Sequence, residues 1–194
     1  MHNVSMKSSR RTAILLGAPL LSTGLLAGCG SMHANPHDAF MGDSITEGWT
    51  LPTVNLGIHG QTTAQMLERF PRQVPGHGYT TVFILGGTND TLLHLDPQET
   101  IANLGRMVDL AQAAKIEPVL SEIPPIFRDN GAYSAAVDVL NAKIIQLAAD
   151  RNVKLVNYYA ALDGHPKFES DGVHMKRRGY LMMDIALMRT KSPF

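Results

Sequence analysis

From residue 38 onward the chain alternates short unbroken apolar runs with stripes of apolar residues at helical spacing. Thr80-Thr81-Val82-Phe83-Ile84-Leu85 is the clearest run, β-branched and apolar on both faces, and it ends in Gly86-Gly87. Continuous apolarity of that length predicts a parallel strand buried on both sides. Shorter runs at Ala39-Phe40-Met41 and over residues 53–56, 118–123 and 154–158 predict four more strands. Between the second and third strands, residues 61–69 read as a helix stopped by Pro71. Asp96-Pro97 supplies an N-cap with proline at the first helical position, and Glu99 adds a carboxylate in the first turn. The helix they open is expected to reach Lys115. Val137, Leu140, Ile144 and Leu147 share one face of a helix over 133–150. A long loop through Pro124-Pro125 to Gly131 precedes it, and a final helix is expected over 176–188. Strands and helices alternating through one domain predict an α/β fold. The expected form is a three-layer α/β/α sandwich around a mostly parallel, doubly wound, flavodoxin-like sheet.

Residues 1–28 break this pattern. Lys7, Arg10 and Arg11 precede a charge-free stretch over 12–27, closed by Leu26-Ala27-Gly28-Cys29. This is the anatomy of a secretory signal, too short and too interrupted by glycine and proline for a membrane span. Its end resembles a bacterial lipoprotein signal, which implies that Cys29 is lipidated and becomes the first mature residue. The division expected is a signal peptide over 1–28, a short linker over 29–37 and one folded domain over 38–194. By the same resemblance, the protein is anchored in the cell envelope, and glycine after Cys29 favours the outer membrane where one exists, facing the periplasm.

Composition narrows the function. The chain of 194 residues has 17 Lys+Arg against 17 Asp+Glu, 44% hydrophobic and 18% charged residues. Removing 1–28 takes away three bases and no acid, leaving a formal charge of −3. A near-neutral balance gives no electrostatic footprint for nucleic acid. The single cysteine excludes a disulfide framework and any cysteine-built metal site. No H-E-x-x-H cluster, phosphate loop or dinucleotide fingerprint occurs, so no metal or cofactor is predicted.

Four unusual segments fall where strands are predicted to end, the edge at which open parallel sheets bind ligands. They are Gly42-Asp43-Ser44-Ile45-Thr46, Asn55-Leu56-Gly57-Ile58-His59-Gly60, Gly86-Gly87-Thr88-Asn89-Asp90 and Asp171-Gly172-Val173-His174. Singly, each has an ordinary explanation: a serine after Gly-Asp caps a helix, Asn-Asp makes a turn, and glycines punctuate strand ends. Together and in this order they resemble the SGNH hydrolase family, the branch of GDSL esterases and lipases, over essentially the whole mature chain. Glu47-Gly48-Trp49 and Gln61-Thr62-Thr63 fit the same resemblance.

The resemblance implies an α/β/α sandwich that cleaves esters through Ser44, with Asp171 and His174 as its partners. It also implies an oxyanion hole from Ser44, Gly57 and Asn89. The residue types suit that chemistry. A serine hydroxyl needs a base to take its proton as it attacks, and histidine ordinarily titrates close to neutral pH. A carboxylate three residues before the histidine, across a glycine, can hold the ring's tautomer. Threonine at position 46 breaks the G-x-S-x-G elbow and argues against the larger α/β-hydrolase fold. Asp90 is a further substrate-binding candidate, and Trp49 either lines the acyl or leaving-group pocket or packs in the core. The expected substrate is a small-molecule, glycan or lipid ester, with short acyl and acetyl esters, lysophospholipid and acetylated carbohydrate all open. Two alternatives stay open as well: acyl transfer to a glycan acceptor, and a catalytically idle lipoprotein that binds glycan or lipid. Oligomeric state is not legible in the sequence.

Overall fold

The computed structural model describes residue 1 and residues 35–50, 53–166 and 170–191. The expected signal peptide and Cys29 lie outside the described residues. Five strands form one parallel sheet: β1 (Asp38–Gly42), β2 (Val54–Gly57), β3 (Thr81–Leu85), β4 (Glu117–Ser121) and β5 (Lys154–Val156). Their spatial order is β2-β1-β3-β4-β5, and every neighbouring pair is parallel. This is the doubly wound order of flavodoxin-like sheets, whose switch point lies between β1 and β3.

The three inner strands, β1, β3 and β4, form where predicted because their residues are largely apolar on both sides. All five residues of β1 are buried, as are the last four of β3 and of β4. Alternation divides the core into two layers. Phe40 and Phe83, paired in register, stack at 4.6 Å, and Phe40 meets Trp49 edge-on at 5.8 Å. The Lys191 ammonium lies 4.8 Å above the Phe83 ring. That layer therefore belongs to α7 (Arg177–Lys191) and its neighbour α6 (Tyr158–Leu162). Ala39, Met41, Val82 and Ile84 point the other way and are fully buried. Their layer is formed by α2 (Thr63–Gln73), α4 (Pro97–Ala113) and α5 (Ser134–Asp150).

Three differences from the sequence reading have plain causes. Helix α2 runs through Pro71 to Gln73 instead of stopping before it. Proline removes one backbone donor but sits in the last turn, and the Val74 N–H still reaches the Phe70 carbonyl at 3.0 Å. Strand β5 ends at Val156, because the Asn157 side chain caps α6 by accepting from the Ala160 N–H at 2.6 Å. Two further short helices, α1 (Ser44–Glu47) and α3 (Thr88–Leu92), occupy stretches read as loops, and a 3-10 turn closes the long loop at Arg128–Gly131. Among the described residues no helix is long and apolar enough to cross a membrane.

Candidate active site

The register places the loops that matter side by side. Gly42 pairs with both Gly57 and Leu85, so β2, β1 and β3 end at one level. The segments that follow, starting at Asp43, Ile58 and Gly86, open onto a single edge of the sheet.

Asp43 begins the first of them. Its carboxylate accepts the Ile45 N–H at 2.9 Å and caps α1, which turns the chain sharply enough to lift Ser44 clear of the strand. Asp43 is completely buried, and burial raises its acid from 3.8 to about 7 against the pull of the Ile45 N–H and of His174. Beneath this turn the Gly42 carbonyl accepts from Ile58 N at 3.1 Å and from Arg69 Nη2 at 2.9 Å. Arg69, only 6% exposed, also donates to the side chains of Gln61 and Gln73, both at 2.6 Å. Its contacts are neutral oxygens, and burial lowers its pKa.

His174 arrives from the far end of the chain. Ser44 Oγ lies 2.9 Å from His174 Nε2, and His174 Nδ1 lies 2.8 Å from Asp171 Oδ2. The other carboxylate oxygen accepts the backbone N–H groups of Val173 at 3.1 Å and His174 at 2.8 Å. Partial burial works against ionisation of Asp171, yet these bonds and the neighbouring imidazole outweigh it and hold the acid well below its usual range. Gly172 makes the turn possible at φ +81, and a Cβ there would come within 2.5 Å of the Arg128 nitrogen. Its carbonyl accepts from Phe127 N at 2.8 Å and Arg128 N at 3.2 Å. That loop is itself fixed: buried Asn141 on α5 exchanges two hydrogen bonds with the Ile123 backbone, at 2.8 and 3.0 Å. The carboxylate is thus positioned by a chain of contacts running back to a core helix. Arg128 Nη2 stands 3.4 Å from Asp171 on a half-exposed face.

Asn89, on α3, turns its amide toward the serine turn. Its Nδ2 donates to the Gln61 carbonyl at 2.9 Å and lies 3.5 Å from Asp43 Oδ2. The Ser44 N–H, in the first turn of α1, has no partner among the described residues. Gly57 does not offer the donor expected of it. Its N–H is bound to Asn55 Oδ1 at 2.8 Å, while Asn55 Nδ2 ties the Thr46 and Trp49 carbonyls at 2.7 and 3.0 Å. Gly57 is there because a Cβ would meet the Glu47 nitrogen at 2.1 Å. The free donor is three residues on: Gly60, exposed at φ +72, precedes the carbonyl that Asn89 grips, and its N–H has no partner among the described residues. The sequence signal for it was the Gln61-Thr62-Thr63 stretch, which carries the bonds that hold this loop.

Asp90 is a further correction, and for Trp49 the second of its two readings, packing in the core, holds. Asp90 is 3% exposed and its carboxylate is consumed internally. It accepts from Thr63 N at 2.9 Å, Thr63 Oγ1 at 2.5 Å and Thr100 Oγ1 at 3.2 Å, and so locks α2, α3 and α4 together. Trp49 is 4% exposed, wedged among Phe40, Tyr158 and Tyr180, with its indole N–H donating to Asp184 at 3.2 Å. The groove at its edge is bordered by Arg177, Arg178 and Leu181 and touches no residue of the Ser44–His174–Asp171 set. Among the described residues, no three His, Cys, Asp or Glu side chains are grouped to hold a metal ion.

A five-stranded parallel sheet with a serine, an imidazole and a carboxylate in line at its carboxyl edge defines a small α/β acylhydrolase of the SGNH class. The chain belongs to the GDSL-like lipase/acylhydrolase family, whose sequence pattern matches residues 25–182. A GDSL-like lipase from Bacteroides thetaiotaomicron superposes with a TM-score of 0.73 and 30% identity, covering 78% of this chain and 85% of that one. An acetylxylan esterase from Geobacillus stearothermophilus, 20% identical with a TM-score of 0.70, shares the fold over 79% of this chain and 92% of its own. Among curated proteins, the Escherichia coli K12 thioesterase 1/protease 1/lysophospholipase L1 is 29% identical over 126 residues, 64% of this chain. The match spans 59% of that relative's length.

Proposed function

We propose that the protein is a serine esterase that cleaves carboxylic esters of short acyl groups through an acyl-enzyme on Ser44. The observation that carries this reading is the unbroken line of contacts, 2.9 Å from Ser44 Oγ to His174 Nε2 and 2.8 Å from His174 Nδ1 to Asp171. Ser44 Oγ bonds to the ester carbonyl carbon as its proton passes to His174 Nε2, and the carbonyl π electrons move onto oxygen. Ser44 N–H, Asn89 Nδ2 and Gly60 N–H stabilise that oxyanion. Collapse of the intermediate breaks the bond to the alcohol, which leaves with the proton from His174. Water then attacks the acyl-serine by the same route and releases the acid. Asp171 keeps Nδ1 protonated and stabilises the imidazolium without taking the proton itself. The family assignment supports an acyl substrate, as does the curated relative's name, which includes thioesterase and lysophospholipase.

A fluorophosphonate probe and a short-chain chromogenic ester test the reading together. The wild-type chain is expected to be labelled and to turn over, and Ser44→Ala to do neither. An unlabelled wild type with no ester turnover would refute it. We also propose that Cys29 carries a lipid anchor that holds the enzyme in the cell envelope. Incorporation of labelled fatty acid in cells, lost in Cys29→Ala, is the expected result; unlabelled wild type refutes the anchor alone.

A further inference from the structure

Beside the triad stands a pair of side chains that no step above uses. The ring of His59, in the loop after β2, lies parallel to the His174 ring, with centroids 6.0 Å apart and 13° between the planes. Its Nδ1 is 4.0 Å from Glu47 Oε2 at the end of α1. Both side chains stand in solvent, 74% and 51% exposed. An exposed pair at that separation adds little to stability, so packing does not account for their place.

The path of the proton says which half of the substrate they border. The departing alcohol oxygen receives its proton from His174 Nε2, so the alcohol half of the ester must lie against the His174 ring. The carbonyl oxygen turns toward Ser44 N–H, Asn89 Nδ2 and Gly60 N–H; Gly60 follows His59 in the chain, but the His59 side chain reaches instead to the His174 ring. His59 lies alongside that ring, and its own ring therefore flanks the alcohol. An imidazole offers one donor and one acceptor, and a carboxylate offers acceptors only. Set about 4 Å apart, they match neighbouring hydroxyl groups, each of which both donates and accepts. An anionic headgroup would be repelled by Glu47, and an alkyl or aryl alcohol would offer neither side chain a hydroxyl to bond.

We propose that His59 and Glu47 form a leaving-group subsite that selects esters of neutral polyhydroxylated alcohols, carbohydrates above all. The proposal rests on the reading of Ser44 as an esterase nucleophile, and it names the alcohol that esterase prefers.

The test compares kcat/KM for two acetates, an O-acetylated methyl glucoside and 4-nitrophenyl acetate, in wild type, His59→Ala and Glu47→Gln. Both side chains are exposed, so the variants are expected to fold. The ratio of sugar acetate to aryl acetate should fall about tenfold in His59→Ala, the effect of one lost hydrogen bond. It should fall severalfold in Glu47→Gln. A loss of equal size on both substrates would make His59 a support for His174 and overturn the subsite. An unchanged ratio, or a wild type that hydrolyses the aryl acetate but not the sugar acetate, overturns it too while leaving the esterase reading intact. A wild type that hydrolyses neither and escapes the fluorophosphonate probe ends both.

Discussion

Replacing Asp43 by asparagine separates the role of its shape from that of its charge. The side chain has no solvent access, and its acid is raised from 3.8 to about 7 because burial penalises the carboxylate. An amide keeps the oxygen that accepts the Ile45 N–H and so keeps the cap of α1. The sign follows from proton binding. Between pH 3.8 and about 7 the unfolded chain has released this proton while the folded chain still holds it. Stability contributed by Asp43 is therefore complete below the lower value and is lost as pH rises through the upper one. Carrying one acid across that interval corresponds to on the order of 4 kcal/mol. Asparagine has no proton to lose. The stability of Asp43→Asn minus that of wild type should thus grow by about that amount from pH 4 to pH 7.5 and then level off. Urea denaturation of both proteins at half-unit intervals of pH measures the difference directly, and the other carboxylates cancel in the comparison. A difference that stays constant from pH 4 to pH 8 would refute the claim that burial governs this carboxyl.

Asn89→Ala removes the side-chain oxyanion donor, and kcat should fall about a hundredfold or more while the unfolding midpoint stays close to wild type. Turnover near wild type would take Asn89 out of the reaction. Asp171→Asn keeps acceptors for the Val173 and His174 N–H groups but turns an amide donor on the ring, which fixes the wrong tautomer. In serine triads that change costs about 10⁴ in kcat, and a loss below about tenfold would show that His174 is held by other means. Gly57→Ala drives a methyl group into the Glu47 backbone and should cost more than about 2 kcal/mol in chemical denaturation. A stable variant would mean that the turn after Ser44 adapts freely.

What was legible in the sequence has a physical basis. Strands β1, β3 and β4 are apolar on both faces and bounded by glycine, proline or charge, so no competing pattern exists. Helices α1, α3 and α6 were not legible, since four or five residues carry no helical period and are shaped by Asp43, Gly87 and Asn157 at their caps. Asp171 and His174 could be paired on paper because their contact is local, across one glycine. Asn89 and Asp90 are adjacent in sequence, yet α3 turns one toward Ser44 and the other into the core, a distinction that needs the packing of α2 and α4. Gly57 misled for a similar reason: nothing in Asn55-Leu56-Gly57 says that the asparagine will take the glycine's N–H two residues on. His59 reads in the sequence only as a loop residue of the second segment, because its neighbour His174 is distant in the chain.

Strand β1, between β2 and β3, enters the sheet beside the Asp38–Lys191 ion pair and delivers Ser44 at its opposite end, about 17 Å away for five extended residues. Asn35, bonded to Asp38 at 3.1 Å, therefore sits at the end of the sheet opposite the reactive rim. Were the lipid proposed at Cys29 to hold the chain from that end, the rim would look outward, free to sweep its surroundings.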